Sequence, residues 1–272
     1  MIERFNFFDI YGYLLPGLAF LGLMWLPFGL TVGYWPPAEW GSALVALVLG
    51  YLAGHLIFGL AERAIPPKMR DTQGELRFPS DILLDDGNDN FSPELKSRLV
   101  DRILIRFGID ITDAGNPEPE VRGKRRKDAF FLCRSAVKQK EAASYAEQMQ
   151  GMYVLMQSLT VVCLLAAVYH FGWALAMFVP VSLLDGTLYL IAAGTVLAAL
   201  WHDSGKLFWL IPILFFFLGG WLGTGNVIGY EMFSVLLGIC FTLLFIALRC
   251  HTAYRTFAWS FAETVYRDFC GL

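Results

Sequence analysis

Long apolar stretches without a charged residue occupy most of the chain and are separated by short polar connections. A helix of about 20 residues crosses the apolar core of a bilayer. The pattern therefore predicts an all-α membrane protein with about six transmembrane helices, near residues 10–32, 40–61, 149–170, 185–202, 207–224 and 228–249. A further apolar stretch at 171–184, which contains Pro180, is expected to lie at the interface or to re-enter the membrane.

Polar positions are concentrated between the second and third predicted spans, in residues 62–148, which we call the insert. Ser92 and Pro93 are residue types preferred at a helix start, and Gly108 is a typical helix stop. Apolar residues recur at helical spacing between them, which predicts a helix near 92–107. Because no Gly or Pro interrupts residues 124–150, a second helix is predicted near 125–148 and continues towards the third span.

An apolar stripe continues beyond the sixth predicted span and predicts a C-terminal helix over residues 250–272. This helix and the two helices of the insert can bury their stripes against one another in a small helical layer. Four residues are expected to be buried there: Leu99, Ile103, Phe257 and Phe261. The chain thus divides into spans one and two at 1–61, the insert, spans three to six at 149–249, and the C-terminal helix.

The composition excludes a soluble domain. Of the 272 residues, 56% are hydrophobic and 17% are charged, whereas about a quarter of an ordinary soluble chain is charged. Mean hydropathy is +0.52. Of the 45 Lys, Arg, Asp and Glu residues, 32 lie between positions 61 and 147, so the rest of the chain is almost free of charge.

The positions of the basic residues predict the orientation. The insert carries 16 of the 21 Lys and Arg residues, and cytoplasmic loops are enriched in such residues. Six spans with both termini inside place every Lys and Arg on the cytoplasmic side. We therefore expect a multi-pass protein of the cell inner membrane, with both termini and the helical layer in the cytoplasm.

A basic cluster in the second half of the insert is the most prominent charged feature. We interpret it as a surface for a protein partner or for anionic lipid, and the alternative is a topology determinant with a solvated helix face. No nucleic-acid recognition motif accompanies it, so direct binding of nucleic acid is not expected. The residues are Arg122, Lys124, Arg125, Arg126, Lys127, Arg134 and Lys138.

Three residues within the first two spans are candidates for a gate. Pro16 and Gly17 lie inside span one, where a proline favours a kink. His55 lies inside span two, and an ionisable side chain at that depth usually faces protein or water. Gly50 and Gly54 form a GxxxG pattern, which is typical of close helix contacts.

No pattern in the sequence supports enzymatic chemistry. Nucleotide-binding glycine motifs, nucleophile elbows and paired carboxylates within the spans are missing. The four histidines have no metal-binding spacing, and the five cysteines contain no CxxC pair. We therefore predict no catalytic residues, no metal site and no cofactor, and we expect the protein not to be an enzyme.

Both ends of the chain carry a resemblance. The segments concerned are residues 5–17, which read FNFFDIYGYLLPG, the charged insert, and the ending VYRDF at 265–269. Together they resemble uncharacterised small polytopic inner-membrane proteins of bacteria. Some of these accompany phage-defence genes. The resemblance covers about thirty residues and transfers no functional residues. It implies a membrane effector that works with a cytoplasmic sensor in antiviral defence.

The sequence predicts a non-enzymatic effector or sensor subunit that self-associates and couples a cytoplasmic trigger to membrane perturbation. Its partners would be the lipid bilayer, further copies of itself and a cytoplasmic protein. A small-solute channel or transporter is one alternative, although the spans show no buried charges and no inverted repeats. A membrane scaffold that anchors a cytoplasmic partner is the other.

Overall fold

A computed structural model describes residues 8–36, 39–66, 68–71, 74–85, 87–112, 118–139, 144–178 and 227–272. Seven helices account for most of these residues, which confirms the all-α prediction. They are α1 (Asp9–Val32, beginning with the π-helical turns Asp9–Leu14), α2 (Trp40–Ala64), α3 (Pro79–Ile82), α4 (Pro93–Phe107), α5 (Pro119–Gln139), α6 (Ser144–Phe178) and α7 (Val227–Gly271). Within the described residues, the strands are β1 (Met69–Arg70) and β2 (Leu76–Arg77), which pair antiparallel.

Four helices in the described part of the chain are long and apolar enough to cross a membrane. They comprise Asp9–Val32, Gly41–Ala64, Tyr145–Leu175 and Met232–Gly271. They coincide with the first, second, third and sixth spans predicted from the sequence. The other two predicted spans, 185–202 and 207–224, lie outside the described residues, as does Pro180. Of the stretch 171–184, which was expected to lie at the interface or to re-enter the membrane, residues 171–178 continue α6 and the rest lies outside the described residues.

The chain forms two compact units. The first comprises Met1–Ala19, Ala43–Val161 and Leu248–Leu272, and the second comprises Phe20–Ser42 and Val162–Ala247. The second unit has an apolar core in which small residues of α6 pack against α7: Cys163, Ala166 and Ala167 meet Cys240, Leu243, Leu244 and Ala247.

The first unit contains the insert, whose core is built from α4, α5 and the end of α7. Leu99 and Ile103 of α4 are fully buried, and Phe261 and Tyr266 of α7 pack edge-on against Phe130 of α5. We call this the insert core. Other fully enclosed members are Ala129, Cys133, Val137, Val265 and Phe269.

Local signals explain the bounds of α4. The Ser92 hydroxyl accepts a hydrogen bond from the Leu95 amide (3.3 Å), and Pro93 occupies the first helical position. Gly108 closes the helix in the left-handed conformation, with φ of 68°, and donates to the Leu104 carbonyl. This is the conformation that glycine adopts without steric cost.

Two details differ from the sequence-based expectation. The helix predicted near 125–148 begins earlier, at Pro119, where the Glu118 carbonyl accepts from the Arg122 amide; it is described over α5 and the start of α6, and residues 140–143 lie outside the described residues. Phe257 is only half-buried, although Phe261 is buried. The buried stripe of α7 runs through Tyr254, Ala258 and Phe261, and at 3.6 residues per turn Phe257 lies about 100° from Ala258, beyond the stripe's edge.

Candidate functional site

Charged side chains of the insert converge on Asp85. Arg77 forms a bidentate ion pair with this carboxylate, with Nη1–Oδ2 and Nη2–Oδ1 distances of 2.7 and 3.1 Å. Arg126 donates through Nη1 to Oδ1 at 2.7 Å. Arg77 also lies 3.2 Å from Asp71. Two guanidinium groups therefore share Asp85. We call Arg77, Arg126, Asp85 and Asp71 the Asp85 network.

The local chain course brings these groups together. Gly74, with φ of 84°, lies in the turn that connects β1 to β2, and the Asp71 amide donates to the Glu75 carbonyl. This turn places Arg77 at the end of β2, two residues before Pro79, the first residue of α3. Asp85 follows the end of α3. The Lys96 ammonium donates to the carbonyls of Asp85 and Asn88, so a lysine supplies the positive charge in this acidic turn.

Arg126 does not lie on the predicted basic surface. Its side chain is 3% exposed, and besides Asp85 it faces the carbonyls of Ile111 and Asp81, each at 3.4 Å. Arg134 is half-buried, bonded to Gln150 and placed over the Phe261 ring. The seven basic residues therefore separate: Lys124, Arg125, Lys127 and Lys138 are exposed, Arg122 and Arg134 are half-buried, and Arg126 is internal.

Asp81 is a buried carboxylate beside this network. It is 7% exposed, and its Oδ1 has no hydrogen-bond partner in the described part of the chain. Burial raises the pKa of Asp81 from 3.8 to about 6, despite the opposing charges of Arg77 and Arg126. Asp85 adds to the increase and Lys127 opposes it. Folding therefore stabilises the protonated form of Asp81 relative to the unfolded chain.

Asp81 should make stability depend on pH. Since its pKa is raised by folding, its contribution is fully present below about pH 4 and is lost as the pH rises through 6. The Asp81→Asn variant should lack this loss and gain up to about 3 kcal/mol over wild type near neutral pH. Unfolding of detergent-solubilised protein at acid and neutral pH checks this. An equal pH dependence in both proteins would contradict it.

Polar side chains of α6 and α7 meet the end of α2. The Gln157 amide donates to the carbonyls of Ile65 (2.7 Å) and Ala61 (3.3 Å), and the Tyr254 hydroxyl also reaches Ile65 (3.5 Å). Ala61 lies in the last turn of α2 and its carbonyl also accepts from the Ile65 amide, whereas Ile65 directly follows the helix, where backbone acceptors have no intrahelical partner. We call these four residues the α2 junction. Sequence reasoning missed Gln157, although an amide within a predicted span was a visible signal.

Insert residues pack directly around the α2 junction. Met69 of β1 and Ile82 of α3 form one buried cluster with Tyr254 and Ala258 of α7. Tyr153 of α6 packs against it. Within the first unit, the insert is therefore in direct contact with the ends of three apolar helices.

Glycines set the contact between α1 and α2. A Cβ at Gly17 would overlap the Gly50 carbonyl and lie 2.6 Å from the Gly54 amide nitrogen, and a Cβ at Gly54 would overlap the Tyr13 carbonyl. The backbones thus touch where the GxxxG pattern predicted a close contact. Gly17 of α1 is the residue that Gly50 and Gly54 of α2 contact.

Pro16 lies at the widened start of α1. It is buried, and the preceding residues Asp9–Leu14 are π-helical, with the Leu15 amide bonded to the Ile10 carbonyl. Proline has no amide hydrogen and its ring clashes with the carbonyl four residues earlier. A wider turn relieves that clash, and such turns are frequent at functional positions.

His55 joins an aromatic cluster beside the glycine contact. Its ring stacks on Tyr13, with centroids 3.8 Å apart, and meets Tyr51 edge-on at 4.7 Å. Phe8 and Phe58 also pack against Tyr13. His55 is nevertheless exposed. The structure therefore brings the three predicted gate residues, Pro16, Gly17 and His55, to one end of the α1–α2 pair.

Other reactive side chains are enclosed. All five cysteines are free and buried, and burial raises the pKa of the Cys133 thiol to about 12. His170 is fully buried in α6, with Nδ1 2.7 Å from the Ala166 carbonyl. Among the residues with described positions, no group of three or more His, Cys, Asp or Glu residues could hold a metal ion.

Comparisons with protein-family models, with curated proteins and with solved structures gave no match.

Proposed function

We propose that this chain is a non-enzymatic membrane effector or sensor subunit that couples an event in its insert to perturbation of the bilayer. The observation that carries the proposal is the continuity of α7. This helix runs unbroken for 45 residues, Val227–Gly271, which corresponds to about 67 Å at 1.5 Å per residue. Its apolar first part is long enough to span a bilayer, and its last turns lie in the insert core.

The α2 junction supports the same proposal from a second side. Met69 and Ile82 of the insert pack against Tyr254, whose hydroxyl reaches the end of α2. A rearrangement of the insert therefore changes contacts at α2, α6 and α7 together. We infer that the tight glycine contact and the π-helical start of α1 are where the packing of α1 against α2 would change during switching.

The orientation belongs to the proposal. With six spans, all 21 Lys and Arg residues face the cytoplasm, so the insert and both termini are cytoplasmic in a multi-pass inner-membrane protein. The proposal includes self-association and a cytoplasmic protein partner. A role in phage defence rests only on the resemblance of the two chain ends.

Lowering the helix stability of α7 between its apolar first part and its last turns in the insert core tests whether α7 couples the insert to the bilayer. Arg255 and Thr256 are exposed on α7, so substitution there leaves buried contacts intact. Two glycines destabilise the helix by about 1 kcal/mol each relative to two alanines. Cells that express the protein with its genomic neighbours are challenged with phages, and a potential-sensitive dye reports depolarisation.

We expect depolarisation with wild type and with Arg255→Ala/Thr256→Ala, and a strongly reduced signal with Arg255→Gly/Thr256→Gly at equal expression. Equal signals from the two double variants would contradict coupling through α7. The same assay also tests the function as a whole. No depolarisation in any protein under any challenge would leave the scaffold as the function.

A further inference from the structure

The outer side of α5 combines positive charge with exposed apolar side chains. Lys124, Phe131 and Lys138 recur every seven residues and therefore lie on one helix face. Phe131 is 50% exposed and Leu132 is 39% exposed. We call this the α5 outer face, and its exposed members are Lys124, Arg125, Lys127, Phe131, Leu132 and Lys138.

Most basic residues on this face form no close ion pair within the described part of the chain. In the described part of the chain, Lys124, Arg125 and Lys127 form no ion pair within 4 Å, and Lys138 lies 3.5 Å from Glu147. Glu120 and Asp128 are exposed acidic residues on the same side of α5. The buried Arg126 points the other way, into the Asp85 network, so the face is a distinct surface and not a continuation of that network.

The position of α5 in the sequence, before a candidate span, favours a lipid headgroup as the anion. α5 ends at Gln139, and the candidate span of α6 begins at Tyr145. Clusters of four or more basic residues directly beside a membrane span attract anionic lipid headgroups. An exposed aromatic and an exposed leucine among them suit the boundary between headgroups and acyl chains, where such side chains gain from burial.

We propose that the α5 outer face binds the anionic phospholipid headgroups of the bilayer in which the protein sits, with Phe131 and Leu132 entering the headgroup boundary. This goes beyond the proposed function and does not depend on it, because lipid binding by α5 can be measured without any permeability change. The charge complementarity and the adjoining span favour a lipid surface over nucleic acid.

The test uses the full-length protein in lipid nanodiscs with an environment-sensitive fluorophore on Leu132→Cys. Protein without this added cysteine reports any labelling of the buried native thiols. Discs contain either zwitterionic lipid alone or about one third phosphatidylglycerol, together with spin-labelled lipids that quench a fluorophore at the headgroup boundary. Because the attraction is electrostatic, high salt should reverse it.

We expect several-fold stronger quenching in the phosphatidylglycerol discs. Lys124→Gln/Lys127→Gln should abolish the difference, whereas Arg98→Gln/Arg106→Gln, which removes two exposed charges from α4, should retain it. Equal quenching in both lipids, or equal loss in the two double variants, would overturn the proposal. A spectral shift in zwitterionic discs on addition of inorganic phosphate or duplex DNA, without quenching, would also overturn it in favour of a soluble ligand.

Discussion

Replacing Gly17 by leucine is expected to destabilise the protein by more than about 3 kcal/mol, because the new side chain has no space between α1 and α2. Even a single Cβ at this position would overlap the backbone carbonyl of Gly50. A backbone atom cannot move aside as a flexible side chain can, so the two helices must separate. Separation would also remove the stack of Tyr13 on His55.

The matched control lies in the same helix. A Cβ at Gly22 would meet nothing within 4 Å, so Gly22→Leu changes helix composition equally without a clash. We expect Gly22→Leu to melt close to wild type in detergent, and Gly17→Leu to melt far lower and to yield little monodisperse protein. Similar melting temperatures for the two variants would show that α1 and α2 do not pack through this contact.

Arg126→Ala should destabilise the insert by about 4 kcal/mol, because it removes a charge-assisted hydrogen bond to Asp85 and leaves the carbonyls of Ile111 and Asp81 without their buried guanidinium donor. Arg126 faces Asp85 and stands near Asp81, so its loss leaves two carboxylates with less positive charge around them. Lys127→Ala removes the same charge from the next residue, which is exposed. We expect the latter to change stability by less than about 1 kcal/mol.

Hydrogen exchange of α4 and α5 amides in the solubilised protein measures both variants. Faster exchange across both helices in Arg126→Ala, with near-wild-type exchange in Lys127→Ala, is the expected result. If the two variants exchanged alike, Arg126 would be a surface residue, as its place in the basic run first indicated, and the Asp85 network would not stabilise the insert.

Signals within a few residues of each other made the helix bounds of α4 predictable. Ser92, Pro93 and Gly108 act on the backbone next to them, and the apolar stripe between them fixes which side is buried. The four described apolar helices were equally predictable, because length and lack of charge suffice to identify them. The same reasoning placed Leu99, Ile103 and Phe261 in the insert core.

Partners distant in the sequence were not predictable. Arg126 stands among three exposed basic residues, and the helix turns about 100° per residue, so one member of the run faces inwards. Which one depends on Asp85, which is 41 positions away. Likewise, the GxxxG pattern indicated a close contact at Gly50 and Gly54, but nothing local identified Gly17 as the partner.

The carbonyl acceptors of the α2 junction show the same limit. Gln157 was readable as a polar residue in a span, yet its partners at Ala61 and Ile65 lie more than ninety residues earlier. Backbone carbonyls leave no mark in a sequence, so the role of Gln157 at the end of α2 becomes visible only in the folded chain.

The proposed coupling requires the insert and the far end of α7 to face the cytoplasm, and one labelling measurement tests this directly. Cysteines are introduced at Ser97 on α4 and at Glu39 between α1 and α2, both of which are exposed. A membrane-impermeant maleimide is applied to intact and to permeabilised cells. We predict that Glu39→Cys is labelled in intact cells and Ser97→Cys only after permeabilisation. Labelling of Ser97→Cys in intact cells would contradict the account.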